Sequence, residues 1–542
     1  MKFLEALEKV NNFTTTENGA VALSSTGSAV LDAFGTLGGY QQLLNVNDYT
    51  YGSYAIKNVL DTFYQAFYED KALAMKLLFY MRDIRGGQGC RTLFRVIMAS
   101  LAKRHPEYVI NNFDNFLFYG RGDDLLCLID TPVEEEVISY IKDVLYEDLA
   151  SVENGGGCSL LAKWLPSENA SSKETKYYAN KIIKGLDIKP SKYRKMLSKL
   201  RKSIGIVETL MSQNRWEEID FEKLPSRASM IYSNAFVNHV KENYLEYLQK
   251  VAAGDAKINA GALIPYDIVH RILKGMNWYT YEAVNTKDEY LLDALWKALP
   301  DYFAQSGMEE TGICVVDTSG SMLGTPLEVA LSLGLYCADK AKGPFKDHFI
   351  TFSRRPKLQK IVGDTVVRKI NCMQSADWGM NTNIKAVFDL ILETAIQYNV
   401  PKEELPNKLY IISDMQFDEG VCDDSADGPL WSYRPTIKNS TLMQDIAKKF
   451  EAYGYDMPAI VYWNVRPSFC GMFQEDRCGA NCCMVSGYSP SLFKAVLLGT
   501  EYEEVINDDG KVSTKVKLDP MTIMLNTLNN ERYDNVWVGE DN

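Results

Sequence analysis

Histidine is scarce: His105, His239, His270 and His348 are the four in 542 residues. None stands in a metal-ligand or triad spacing, so each reads as a packed or surface residue rather than a catalyst. A G-x-x-x-x-G-K-[ST] phosphate loop is missing, which removes the usual cradle for a nucleotide cofactor. No stretch approaches the roughly 20 uninterrupted apolar residues of a membrane span. The opening from Met1 to Val10 is charged and amphipathic, without the apolar stretch of a secretory signal. These absences point away from an enzyme and from a membrane protein. They leave a cytoplasmic binding protein as the expectation.

A disulfide framework is absent as well. The cysteines number eleven, an odd count, and Cys127, Cys314 and Cys337 sit inside apolar runs, as buried reduced thiols do. Cys470, Cys478, Cys482 and Cys483 crowd together, and Cys478 and Cys482 have a C-x₃-C spacing. No second such pair completes a four-ligand zinc site. On a strand, Cys482 and Cys483 would also point to opposite faces. A cysteine-rich loop and strand start is the preferred reading.

What is present is ordinary for a soluble globular chain: 46% hydrophobic and 24% charged residues. The length implies more than one folded unit, each able to build a core without staples. The net charge of −13 argues against indiscriminate coating of nucleic acid, though not against a local basic surface.

Residues 1–307 read as helix after helix, with apolar residues at i, i+3, i+4 and i+7 over Tyr54–Glu69, Lys71–Arg82, Cys90–Arg104 and Ala235–Val251. Glycine-bearing breaks separate them at Arg85–Gly89, Tyr119–Gly122 and Glu153–Gly157. No clear repeat is visible. The pattern fits a HEAT-like solenoid or a compact irregular helical domain. From residue 308 the texture changes, and short apolar runs alternate with helices to about residue 500. Thr311–Val316, His348–Phe352, Lys408–Ser413, Ala459–Trp463 and Met484–Ser486 read as strands; Pro326–Ala341, Ile384–Gln397 and Ser491–Leu498 read as helices. That alternation predicts a doubly wound α/β domain with a parallel sheet. The tail, residues 501–542, offers a polar stretch and a helix near Pro520–Asn529, expected to pack back on the domains.

Chemistry concentrates where the strand Ile313–Val316 runs into Asp317-Thr-Ser319-Gly-Ser321. In an open α/β sheet, ligands collect at the carboxyl ends of the strands. A turn there can present the oxygens of Asp317, Ser319 and Ser321 to one point. Mg²⁺ prefers oxygen ligands in octahedral geometry and keeps some waters, so a carboxylate plus hydroxyls suits it. Parallel topology would bring up Thr382, just before a helix, and Asp414, at the end of Leu409–Ser413. Asp418 follows four residues later, as a possible neighbour behind the ligands. An open metal position with no general base beside it favours binding a carboxylate or phosphate oxygen over hydrolysis.

This constellation resembles the metal-ion-dependent adhesion site of von Willebrand factor A domains. The resemblance implies a Mg²⁺ site with Asp317, Ser319, Ser321, Thr382 and Asp414 as ligands, some through water. The segments Asn18–Asp32, Met81–Arg91 and Tyr119–Leu125 resemble the TROVE module, the helical region of Ro ribonucleoproteins. A closer resemblance is to a Ro-related family that also ends in an A-domain with the phrase Ser413-Asp-Met-Gln-Phe-Asp418. Together these imply a HEAT-like helical toroid closed by the A-domain and binding structured or single-stranded-ended RNA.

The charge distribution is compatible with RNA. Residues 173–202 hold eleven basic residues against Glu174 and Asp187, a net +9 that leaves −22 on the rest of the chain. Lys181, Lys184, Lys192, Arg194, Lys195, Lys199, Arg201 and Lys202 are candidate phosphate contacts, with Tyr177, Tyr178 and Tyr193 to stack on bases. Arg85 and Arg91, with Arg82, flank a glycine loop that would clamp a phosphate backbone. Charge runs on helices are often merely solvated faces, and Arg82 and Arg85 have carboxylates to pair with. Arg121-Gly-Asp123 lies in a helix-linking loop and is not read as an adhesion signal. The leading expectation is an RNA-binding protein of Ro/TROVE type. Its rival is a scaffold that grips an acidic protein ligand through the metal, without RNA.

Overall fold

The computed structural model describes residues 12–15, 21–41, 44, 49–274, 288–307, 311–352, 355–376, 383–417, 442–466, 481–506 and 512–539. The chain forms two compact units, each assembled from separate stretches of sequence. One is helical and comprises residues 43–263, 294–299 and 528–542; the other comprises 1–42, 264–293 and 300–527.

The helical unit is built around Lys71–Arg82, which is buried along most of its surface and capped by the Asp70 side chain at Leu73 N. Phe79 on this helix meets Phe94 and Tyr119 with ring centroids 5.4 and 5.3 Å apart. The helices Arg91–Arg104 and Phe113–Tyr119 thus share one aromatic core with it. The periodic stretch Ala235–Val251 is not one helix. Ser226–His239 ends and Lys241–Ala253 begins at Val240, whose φ of −143° leaves the helical region. Phe236, Val240, Tyr244 and Leu248 are all buried, so the apolar period carries across the joint without a proline or glycine to mark it.

The second unit holds a short antiparallel ribbon, β1 (Phe13–Thr15) and β2 (Val21–Leu23), and a six-stranded sheet: β3 (Ile313–Asp317), β4 (His348–Phe352), β5 (Leu358–Lys360), β6 (Lys408–Ser413), β7 (Ala459–Asn464) and β8 (Cys482–Ser486). The spatial order is β5-β4-β3-β6-β7-β8, parallel except for the antiparallel edge strand β5. Numbered within the sheet, this is the 3-2-1-4-5-6 order of doubly wound sheets, which reverses direction between β3 and β6. Alternate residues face opposite sides. Ile313, Val315, Leu409, Ile411, Ile460 and Tyr462 share a core with the helices Ile384–Tyr398 and Leu442–Ala452. On the other face, Tyr410 and Trp463 pack against Phe493 of Ser491–Leu498, at 5.0 and 4.6 Å.

The unit boundaries do not follow the positions 307 and 500 expected from texture. Gly38, after the short helix Ala29–Thr36, donates its N–H to Ser486 Oγ at 3.0 Å. A Cβ there would meet Ser486 O at 2.3 Å, so this approach requires glycine. Likewise His270 on Pro265–Leu273 meets Glu328 on Thr325–Lys340 at 2.7 Å. The tail divides. A hairpin of β9 (Thr500–Ile506) and β10 (Val512–Leu518) stays with the sheet unit, and the residues after Thr527 join the helical one. Periodicity reveals which face of an element is apolar, but not which distant segment covers it. Among the described residues, no helix is long and apolar enough to cross a membrane.

Candidate metal centre

The sheet reverses direction between β3 and β6, and both strands end there in aspartate. Val316 pairs with Ile412, which sets Asp317 level with Ser413 and one residue short of Asp414. Both carboxylates are buried, at 0% and 2% exposure. The Ser413 hydroxyl donates to Asp317 Oδ2, and the Ser319 N–H donates to Oδ1 at 2.8 Å. Ser319 and Ser321 hydroxyls lie 3.1 Å apart, Ser319 buried and Ser321 exposed. The chain after Asp414 turns back sharply: Met415 has φ +63°, a strained value for a side chain of its size. Its N–H donates to Ser413 Oγ at 3.1 Å, and Gln416 N donates to Asp414 Oδ1 at 3.2 Å.

Two carboxylates close together and out of water repel one another. Burial, and then the charge of Asp414, push the Asp317 carboxyl up to about 7, against the hydrogen bonds from Ser413 and Ser319. Asp414 Oδ2 is buried without a hydrogen-bond partner, as is Thr318 Oγ1. An orphaned carboxylate oxygen near a second carboxylate, which itself has a serine turn beside it, fits a hard divalent cation. Asp317 thus neighbours Asp414 and Ser319, and Ser319 neighbours Ser321, whereas Thr382 and Asp418 lie outside the described residues. Asn383, next to Thr382, caps Ile384–Tyr398 by accepting from Ala386 N. Among the described residues, no three His, Cys, Asp or Glu side chains converge on one point. Two carboxylates with hydroxyls is a sparser set than that.

Ser413 and Arg466 were not foreseen at this site. Ser413 is the one hydroxyl closing an otherwise apolar strand end, which is a readable signal. Arg466 follows β7 and donates from Nη1 to the Ser321 carbonyl at 2.7 Å; only the neighbouring strand order reveals its place.

The proposed RNA contacts fare unevenly. Arg201 points inward, holding the carbonyls of Ala162 and Leu165 at 2.9 and 2.8 Å and Ser167 Oγ at 3.0 Å. Tyr193 is fully buried, its hydroxyl on Pro166 O, and presents no ring face to a base. Lys181 bridges Asp130 and Glu134, Arg194 pairs with Glu168, and Lys199 pairs with Glu153. Lys192 reaches the Tyr146 hydroxyl at 3.4 Å. Lys184, Lys195 and Lys202 are exposed on Lys173–Gly185 and Pro190–Ile204. Arg85 is exposed on its glycine loop, and Arg91 is exposed at a helix start, within reach of the Arg95 and Arg121 charges. Arg82 is not a phosphate clamp at all. It is buried, and pairs with Asp124 at 2.7 Å.

The remaining singled-out residues are structural. His239 stacks on Trp216 at 4.0 Å, and His348 meets the Lys346 carbonyl. Cys482 and Cys483 are buried in β8, and burial raises the Cys483 thiol. Cys470 and Cys478 lie outside the described residues.

Comparison with known proteins divides the chain near residue 310, where the sequence texture changes, and not where the two compact units part. Residues 311–528 match a domain of unknown function, DUF7788, and residues 16–129 and 158–308 match a second, DUF2828. Uncharacterized protein L728 of Acanthamoeba polyphaga mimivirus is 31% identical over 91% of this chain and 86% of its own length. The chain belongs to the same family. Asp317, Ser319, Ser321 and Asp414 fall in the DUF7788 match, while the basic helices fall in the DUF2828 match.

Proposed function

We propose that this protein binds its ligand through a divalent cation, Mg²⁺ by ligand chemistry, held at the switch point of a von Willebrand A-type unit. The observation that carries this is the orphaned Asp414 Oδ2, on a buried carboxylate close enough for its charge to raise Asp317. Asp317, Ser319, Ser321 and Asp414 would hold the ion, and Thr382 is proposed with them from the resemblance. When bound, the ion supplies a coordination position for a carboxylate or phosphate oxygen of a partner. Ser413 positions the Asp317 carboxylate, and Arg466 braces the serine turn through the Ser321 carbonyl.

The test is thermal unfolding of the full chain with and without Mg²⁺. A ligand at a hundredfold its Kd stabilises the folded state by about 2.7 kcal/mol. Wild type should gain stability in Mg²⁺, and Asp414→Ala should gain none. Equal behaviour of the two chains would overturn the reading.

RNA is the second reading, favoured by the Lys192, Lys195, Lys199 and Lys202 stripe, which recurs on one side of its helix. Under that reading the helical unit is of Ro/TROVE, HEAT-like type and holds RNA on this face. Binding of a hairpin RNA with a single-stranded 3′ end should then follow a log–log salt slope of about −0.7 to −0.9 per neutralised phosphate. Lys184→Glu, Lys195→Glu and Lys202→Glu together should abolish it. Absence of binding at low salt would leave the cation-dependent reading alone.

A further inference from the structure

Among the described residues after Leu528, 529–539, there is no helix or strand beyond the short turn Glu531–Tyr533, yet the helical unit holds them closely. Much of that grip is on main-chain atoms. Asn112 donates from Nδ2 to the Trp537 carbonyl and accepts the Trp537 N–H at Oδ1, both at 2.9 Å. Asn115 Nδ2 donates to the Asn535 carbonyl at 2.9 Å, and the Tyr119 hydroxyl donates to the Arg532 carbonyl. An asparagine exchanging both bonds with one residue reads peptide backbone whatever the sequence.

Selectivity comes from three side chains. Arg532 pairs with Asp83, a carboxylate with no exposed surface that also accepts from the Tyr533 hydroxyl at 3.2 Å. Tyr533 stacks on Tyr119 at 5.5 Å, and Trp537 meets Tyr108 edge-on at 5.0 Å. The receiving surface is shaped to fit. A Cβ on Gly86 would meet Arg532 Nε at 2.9 Å, so the glycine loop leaves room for the guanidinium. Asp534 and Asn535, between the anchors, are exposed.

We propose that the face formed by Lys71–Arg82, Pro106–Ile110 and Phe113–Tyr119 is a peptide-recognition surface. Its resident ligand is the chain's own segment 532–537, held releasably. The partner it fits is an extended peptide with Arg-Tyr followed after three residues by Trp, read by main-chain bonds with aromatic and guanidinium anchors. Releasing the segment undoes one short turn and leaves the helices whole, so it can open as a local unit.

The test uses the full chain carrying Arg532→Ala and Trp537→Ala, titrated with a labelled synthetic peptide of residues 529–539. The opened chain should bind this peptide at least tenfold more tightly than wild type, whose surface is occupied. The same peptide with Arg532→Ala and Trp537→Ala should bind at least tenfold more weakly. Equal binding of both peptides, or none to an opened chain that keeps its circular dichroism, overturns the proposal. Native-state hydrogen exchange on the unaltered chain gives an independent reading. The Trp537 amide should exchange while those of Phe113–Tyr119 stay protected. Exchange of Trp537 only together with that helix would make the segment an inseparable part of the fold and overturn the proposal.

Discussion

Both units bury carboxylates, and they treat them oppositely. In the helical unit Asp124 receives the guanidinium groups of Arg82 and Arg95 and the Arg121 N–H, so its oxygens are fully engaged. Asp123 beside it is pushed up by burial, but Arg121 and Arg95 outweigh that and hold it down at about 2. At the sheet's switch point Asp317 has hydroxyl and amide donors but a second carboxylate for a neighbour, and it rises to about 7. Arginine fixes the first cluster as architecture. The second is a charge arrangement that a cation would complete. Burial of acidic residues therefore signals a binding site only where the fold has withheld the matching base.

The largest expected effect tests the architectural half. Arg82→Ala would leave Asp124 buried without the one guanidinium that holds its Oδ2 through two nitrogens. Breaking a buried pair from one side destabilises by about 3–5 kcal/mol. Chemical denaturation of the full chain should show a loss of that order; a change below about 1 kcal/mol would remove the distinction between the clusters.

A smaller effect, with a defined direction in pH, belongs to the switch point. The folded carboxyl of Asp317 titrates near 7, above the roughly 3.9 of an unfolded aspartate. Between those values the folded state holds more protons, so stability of the metal-free chain falls as pH rises from about 4 to about 7. The loss should be at most on the order of a few kcal/mol. Asp317→Asn should flatten it, and Mg²⁺ should offset it by occupying the charge. A metal-free chain whose stability rises over that interval in step with Asp317→Asn would contradict the assigned repulsion.

How much of this was readable beforehand follows the same division. The placement of Asp317 and Asp414 at neighbouring strand ends was legible because strand ends in a parallel sheet collect at one edge, and each carboxylate follows an apolar run. The strands β4 and β6 and the helix Ser491–Leu498 fell where the apolar runs placed them. The short edge strand β5, exposed at Leu358 and Lys360, carries no apolar run to announce it. The glycine breaks were visible as helix boundaries, but the packing they serve was not. A Cβ at Gly120 would meet Asp124 Oδ2 at 2.4 Å, so that glycine serves the Arg82–Asp124 pair. Nothing local in Arg85–Gly89 could indicate that Arg532, some 450 residues away, fills the space above it. Pairings of that range are fixed by tertiary packing, which single-sequence periodicity does not contain.

The smallest effects separate architecture from surface within one helix. Arg201 and Lys195 are both basic residues of Pro190–Ile204 and look alike in a count of charge. Arg201→Ala would leave the Ala162 and Leu165 carbonyls without their donor, a loss of about 1–3 kcal/mol. Lys195→Ala removes an exposed side chain and should stay within about 0.5 kcal/mol. If RNA binds this face, the order reverses for affinity. Lys195→Ala should then reduce the salt slope by about one phosphate's worth, while Arg201→Ala should leave it unchanged in whatever fraction stays folded. A slope that responds to Arg201 and ignores Lys195 would place any RNA elsewhere on the unit, because the Arg201 guanidinium is turned inward onto two carbonyls and the Ser167 hydroxyl.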